Sequence, residues 1–184
     1  MAAEFPQLWT IGHSNRSGEM LVAMLQAHGV ELVADVRVYP RSRYNPQFNG
    51  DALAERLLAA GIGYVHLREL GGNRQPRSDS RNLALPAGTF RGYADYMESA
   101  AFVQGVDRLA TIAGRRRTAI LCAEADPLHC HRSLIADTLT AAGWQVVHIL
   151  SETAATLHQL RPECRLENGK PGYRGSQLQL SLNE

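Results

Sequence analysis

Apolar and polar positions along the chain switch repeatedly between a two-residue and a helical period. "LWTIG" (8–12) is a short apolar run stopped by glycine and predicts a strand. "SGEMLVAMLQAHG" follows, with Leu21 and Leu25, and Met24 and His28, at helical spacing. Ser17 is a good N-cap, Met20 at the third helical position denies it a capping box, and Gly29 suits the helix end. "ELVADVR" (31–37) predicts a second strand, "GDALAERLLAAG" a second amphipathic helix closed by Gly61, and "GYVHLREL" a third strand. A long helical region covers about 93–113, and "TAILCAEA" is a fourth strand. Asp126 as N-cap and Pro127 at the first helical position then open a helix that runs to Gly143. "WQVVHIL" is a fifth strand, followed by a short helix near 153–160 and a polar tail.

Strands separated by helices imply βαβ units. The expected fold is therefore α/β: three layers, with a mainly parallel five-stranded sheet flanked by helices. Residues 1–184 read as one domain with a core at about 8–150. The tail, 161–184, lacks a clear period apart from the alternation in "QLQLSL", which leaves an added edge strand and a disordered end both open. Two long loops, 38–49 and 71–90, are rich in Pro, Gly, Asn and Arg, and loops of that length in a compact domain usually serve function or lack order. The second is expected to be a mobile lid.

Composition adds little to the fold and more to the location. The 184 residues are 45% hydrophobic and 20% charged, as in globular proteins. No apolar run approaches the roughly 18 residues of a membrane span. The first residues lack a basic segment followed by an apolar core, and three cysteines are an odd number for a disulfide framework, so the expected location is the cytoplasm. The net charge of +1 gives no global polyanion signature. The distribution is less even: between Arg37 and Arg91 there are nine arginines against four acids, and Lys170 is the only lysine. Arginine favours bidentate contact with carboxylates and phosphates.

In an open parallel sheet, ligands bind beyond the carboxyl ends of the strands. His13 and Ser14 follow the first strand. Asp35 and Arg37 end the second, with Arg41 close behind. Arg68 ends the third. After the fourth come Cys122, Glu124 and Asp126, then Cys130, His131 and Arg132. Asp35 and Glu124 follow apolar runs directly and are expected to be partly buried. Asp35 with Arg37, or Glu124 with Arg132, would equally suit a structural ion pair. Cys122 alternates with Ile120 and reads as a small buried side chain. Cys130, His131 and Arg132 fall in the first turns of the helix opened at Asp126, where free N–H groups stabilise anions and thiolates.

Zinc is the metal that Cys122, His129, Cys130 and His131 could bind, but no paired-knuckle spacing exists. On a helix, Cys130 and His131 would also point about 100° apart, so the expectation is no metal and no cofactor. His28 and His158 read as helix-surface residues, and His66 and His148 as half-buried hydrogen bonders in strands.

The blocks "TIGHSNRS", "ADVRVYPRSRYNPQFN", "YVHLRELGG", "FRGYADYM" and "CAEADPLHCHRSLIAD" together resemble the family called domain of unknown function 488, over about 9–149. The resemblance points to Asp35, Arg37, Arg68, Glu124, Cys130, His131 and Arg132 as signature positions and supplies no reaction. Rhodanese-type domains and cysteine phosphatases are similar only in layout. Cysteine phosphatases need a cysteine five residues before the arginine, and Cys122 is too far from Arg132, Cys130 too near.

These readings lead to an enzyme of unknown reaction acting on an anionic, phosphate-bearing ligand, with a nucleotide or a nucleic-acid derivative as candidates, at the carboxyl edge of the sheet. Asp35 and Glu124 would do acid–base or orienting work, and Cys130, with His131, is the candidate nucleophile. His13, Ser14, Arg37, Arg41, Arg68 and Arg132 would bind the ligand. Two other classes stay open: a non-catalytic nucleotide or nucleic-acid binding module, and a cysteine-based redox or transfer protein. No membrane partner is expected, and the oligomeric state is not legible.

Overall fold

Alternate residues of each strand point to opposite sides of one sheet, and each side finds its own layer of helices. The computed structural model describes residues 5–175. Within them lie β1 (Gln7–Gly12), α1 (Gly18–Ala27), β2 (Leu32–Asp35), α2 (Gly50–Ala59), β3 (Gly63–His66), α3 (Thr89–Tyr96), α4 (Ala100–Ala113), β4 (Thr118–Cys122), α5 (Arg132–Ala141), β5 (Gln145–Ile149) and β6 (Ala155–Leu157). A small hairpin follows, β7 (Arg165–Glu167) and β8 (Lys170–Gly172). The main sheet has the order β3-β2-β4-β1-β5-β6. Its first five members are parallel, and β6 runs antiparallel to β5. The fold is thus α/β with a mostly parallel sheet. It has six strands rather than five.

Trp9, Ile11, Val33, Ala119 and Leu121 face one side and meet Leu21, Met24 and Leu25 of α1 and Leu53 and Leu57 of α2. Leu8, Ala34, Ile120, Cys122 and Val146 face the other side. There they meet Tyr93, Phe102, Leu109, Leu134 and Ile135 from α3, α4 and α5. Register settles what this parity does for chemistry. Thr10 lies beside Ile120 and His148, and Gly12 beside Cys122. Thr10, Cys122 and His148 therefore share the α5 side, although two of them are polar.

Local signals explain most boundaries. Ser17 accepts from the Met20 N–H, as an N-cap should, and Gly29, Gly61 and Gly143 take the positive φ needed just past α1, α2 and α5. Three expected elements differ. The helical region at 93–113 is two helices, broken before Ser99, whose hydroxyl caps α4 by accepting from Phe102 N–H. The helix expected near 153–160 is instead the edge strand β6, and there the pairing of Ala155 with Ile149 outweighs weak helical periodicity. The helix expected from Asp126 begins only at Arg132. Asp126 caps a 3-10 turn, Pro127–His129, and Cys130 is extended at φ −131°, ψ 147°. The alternation in "QLQLSL" lies outside the described residues. Residues 165–172 form the hairpin, and Tyr173 behind it is buried.

Gly12 is required by proximity. A Cβ there would overlap the carbonyl of Glu124, because the end of β1 lies against the loop after β4. Gly12→Ala should cost about 1–3 kcal/mol through this overlap. The measurement is the urea midpoint, and an unchanged midpoint would show that the loop is free to move away.

Candidate active site

The segments that follow β2, β3 and β4, the start of α3 and the turn leading into α5 enclose a cleft of about 330 Å³, lined among others by Arg37, Tyr39, Asn73, Cys122, Glu124, Cys130 and His131. Under it lies a saturated ion pair. Asp35, with no exposure, accepts from the Arg37 backbone N–H at 3.0 Å, from Arg37 Nε at 2.9 Å, and from the Tyr64 hydroxyl at 2.9 Å. Burial first, then the Asp35 charge, holds the Tyr64 hydroxyl well above the usual tyrosine range. Arg37 Nη1 also reaches His13 Nε2 at 3.2 Å. The carbonyl of Ser14 can only accept, so His13 Nδ1 donates to it at 2.8 Å and Nε2 is left as the acceptor for Arg37. Burial, the largest cause, and the Arg37 charge hold the neutral form, with the His13 pKa lowered to about 4. Asp35 and Arg37 are thus locked to each other, and of the two only Arg37 reaches the cleft.

The second half of the site is centred on sulfur. Arg132 is 1% exposed, yet no carboxylate pairs with it among the described residues. Its guanidinium donates to the main-chain carbonyl of Glu124, to Thr10 Oγ1 at 3.5 Å, and through Nε to Cys130 Sγ at 3.3 Å. Glu124 itself is exposed, contrary to expectation. The apolar run ends with β4 at Cys122, and two further residues carry the Glu124 side chain into solvent at the cleft wall. The ion pair considered for Glu124 and Arg132 is therefore a contact with the Glu124 backbone.

His131 Nδ1 lies 3.9 Å from Cys122 Sγ and 3.7 Å from Cys130 Sγ, and its Nε2 donates to the Val36 carbonyl at 3.1 Å. The ring is fixed by Tyr93, 5.0 Å away between centroids, and by Gly72, where a Cβ would come within 2.7 Å of Nδ1. Sequence spacing on a helix suggested divergent Cys130 and His131 side chains. They converge because Cys130 is extended and α5 starts after His131. The Cys122 thiol, as the largest cause, then His131 and Arg132, hold the Cys130 thiol well below the usual cysteine range. The same thiol pair, together with burial, pushes Cys122 up.

A buried chain of hydrogen bonds runs away from Arg132. Thr10 Oγ1 contacts His148 Nδ1 at 2.7 Å, His148 Nε2 contacts His158 Nδ1 at 2.9 Å, and His158 Nε2 contacts Asp137 Oδ1 at 2.8 Å. The Tyr173 hydroxyl donates to Asp137 Oδ2 at 2.6 Å. With Arg132 cationic at one end and Asp137 anionic at the other, every bond can donate in the same direction. His158 is thus buried, not on a helix surface, because it follows the edge strand and turns under α5.

Of the residues singled out by sequence, Arg37, Glu124, Cys130 and His131 line the cleft, while His13, Asp35 and Arg132 lie buried beneath or beside it. Ser14, Arg41 and Arg68 lie outside the lining. Ser14 takes a left-handed φ of 49°, Arg41 is exposed, and Arg68 stands 5.6 Å over the ring of Tyr39. Thr10, His148, His158 and Asp137 were not foreseen as parts of one network. The parity of Cys122 with Ile120 was the signal that placed Cys122 on the same side of the sheet. The loop at 71–90 is not a free flap. Asp95 accepts from Arg77 N–H, Ser80 Oγ and Asn82 Nδ2, and Leu85 is buried.

The fold and site together define an α/β protein with a cysteine–histidine–arginine centre at the carboxyl edge of its sheet. Residues 17–139, more than half of the chain, match the family model "Domain of unknown function DUF488", and the chain belongs to that family. No curated protein and no solved structure matches it.

Proposed function

We propose that the protein is a cysteine-dependent enzyme in which Cys130, as a thiolate, attacks a small electrophilic substrate held in the cleft. The observation that carries this reading is the buried Arg132. A guanidinium removed from water needs a counter-charge, and among the described residues the sulfur of Cys130 is the only ionisable group it bonds through a side chain. Thiolates are the nucleophilic form of cysteine, and an adjacent arginine favours them. In the proposed step a bond forms from Cys130 Sγ to the electrophilic atom, and the leaving group departs with its electron pair. Glu124, exposed at the cleft wall, is placed to exchange a proton with that group.

This reading favours the cysteine-based class over plain anion capture. Arg37 and Arg132 are committed to partners inside the protein, which leaves Arg68, over Tyr39 of the cleft lining, as the contact for an anionic group on the substrate. Asp35 acts here as the partner that orients Arg37.

Iodoacetamide labelling of the native protein, followed by peptide mapping, tests the reading. Cys130 should be alkylated at a rate that stays constant well below the pH at which an ordinary cysteine loses reactivity. Arg132→Met should slow the reaction near neutral pH by roughly ten- to a hundred-fold, since a bond to a charged group contributes about 1.5–3 kcal/mol. An inflection at the ordinary cysteine value in the wild type would remove the thiolate, and with it the proposed mechanism.

A further inference from the structure

We infer that Cys122, Cys130 and His131 form a three-ligand site for a thiophilic metal cation, with zinc(II) as the reference ion and a fourth position open to the cleft. The inference rests on the reading of Cys130 as the reactive sulfur of the site, and adds a ligand that competes for it. The three donor atoms, Cys122 Sγ, Cys130 Sγ and His131 Nδ1, lie within 4.8 Å of one another. A tetrahedral zinc ion with Zn–S near 2.3 Å and Zn–N near 2.0–2.1 Å holds sulfur and nitrogen ligands about 3.5 Å apart. The sulfur-to-Nδ1 separations of 3.9 and 3.7 Å need only a few tenths of an ångström of closure.

Three surroundings support a ligand role. The Val36 carbonyl takes the hydrogen of His131 Nε2, so the ring is oriented by its far nitrogen and Nδ1 is turned to the sulfurs. Gly72 and Tyr93 both pack against that ring and restrict its movement. The Arg132 Nε–H on Cys130 Sγ is an outer contact that leaves further sulfur lone pairs for a metal. Two thiolates and one imidazole select zinc or another soft ion over magnesium and calcium, which take oxygen ligands. All three residues line the cleft, so the remaining coordination position faces the same space as the substrate. A bound ion draws on the Cys130 sulfur electrons and lowers its nucleophilicity, so metal occupancy slows alkylation.

The test uses the full chain, reduced with a phosphine and stripped of metal with a chelator. Cobalt(II) is the spectroscopic probe and zinc(II) the competitor. One cobalt per chain should bind with sulfur-to-cobalt charge-transfer absorption and the intense visible bands of tetrahedral coordination, and zinc should abolish both. Cys122→Ser and Cys130→Ser should each weaken binding at least about ten-fold, the change expected from losing a ligand or its support. Cys122→Ser changes one atom in a small side chain and guards against a variant that fails to fold. Zinc should also protect Cys130 of the wild type from iodoacetamide. Absence of thiolate–cobalt bands, with Cys130 still alkylated as proposed above, overturns the metal site and leaves the thiolate enzyme standing. Bands that survive both serine variants place the ion elsewhere and likewise overturn it. Bands that need both cysteines, in a protein whose metal-free form resists alkylation, support the metal site and overturn the nucleophile.

Discussion

Asp137→Ala should lose about 3–5 kcal/mol of folding stability, because it leaves buried groups without their partner. Asp137 is fully buried and accepts from His158 Nε2 at 2.8 Å, from the Arg161 backbone N–H at 3.1 Å and from the Tyr173 hydroxyl at 2.6 Å. Alanine supplies no acceptor for any of the three. The loss corresponds to a melting temperature roughly 6–20 °C lower for a chain of this size. Asp137→Asn keeps the shape and one acceptor oxygen, and the Tyr173 hydroxyl can turn to accept from the new amide. It should therefore lose only about 1–2 kcal/mol, near the price of one weakened hydrogen bond. Calorimetric melting of the two variants decides. Equal losses would mean that charge, not donor count, dominates. No loss in the alanine variant would mean that water replaces the carboxylate and that the chain from Arg132 ends in nothing fixed.

That chain also marks the limit of what the sequence made legible. The sheet could be read because apolar runs and glycine stops repeat at regular intervals, and the strand ends could be read as a site because a parallel sheet brings them to one edge. The line from Thr10 to Asp137 could not. It joins β1, β5, α5 and the residue after β6 at separations of up to 138 positions, and no local period records such contacts. Tyr173, its last member, lies in a tail that lacked a pattern. At Cys130 the local signal was correct in kind and wrong in extent. Asp126 and Pro127 do cap a turn, but that turn is 3-10 and stops after His129, so helical geometry misplaced Cys130 and His131. Glu124 was misjudged for a related reason. Following an apolar run implied burial only if the strand continued, and it ends at Cys122.

Stability should fall steeply as pH drops from about 6.5 towards 5, before most carboxylates titrate. Burial, in each case the largest cause, lowers the pKa of both His13 and His148 to about 4. In the unfolded chain both titrate near 6.5. Between those values the unfolded state binds protons that the folded state refuses, so stability rises with pH through the window. The contribution is present above about pH 6.5 and is lost as pH falls towards 4. Each histidine adds a slope of up to about 1.4 kcal/mol per pH unit, and the two together up to about 2.7. Unfolded carboxylates titrate at about 3.9–4.3, which leaves the range above pH 5 mainly to the histidines. The cause is visible in the partners. His13 Nε2 faces the Arg37 guanidinium, a donor and a cation, and a proton there would set two donors against each other. His148 Nε2 points at His158 Nδ1, and its Nδ1 faces the Thr10 hydroxyl, which itself contacts Arg132. Urea unfolding at about pH 7, 6 and 5 measures the slope. His13→Gln, which cannot take up a proton, should reduce it by about half even if the variant is less stable overall, because the slope depends on proton uptake alone. A wild-type stability that stays flat across this range would show that both histidines take up protons in the fold over the same pH range as in the unfolded chain. The contact between His13 and Arg37, and with it the fixed wall of the cleft, would then need a different arrangement of hydrogen bonds.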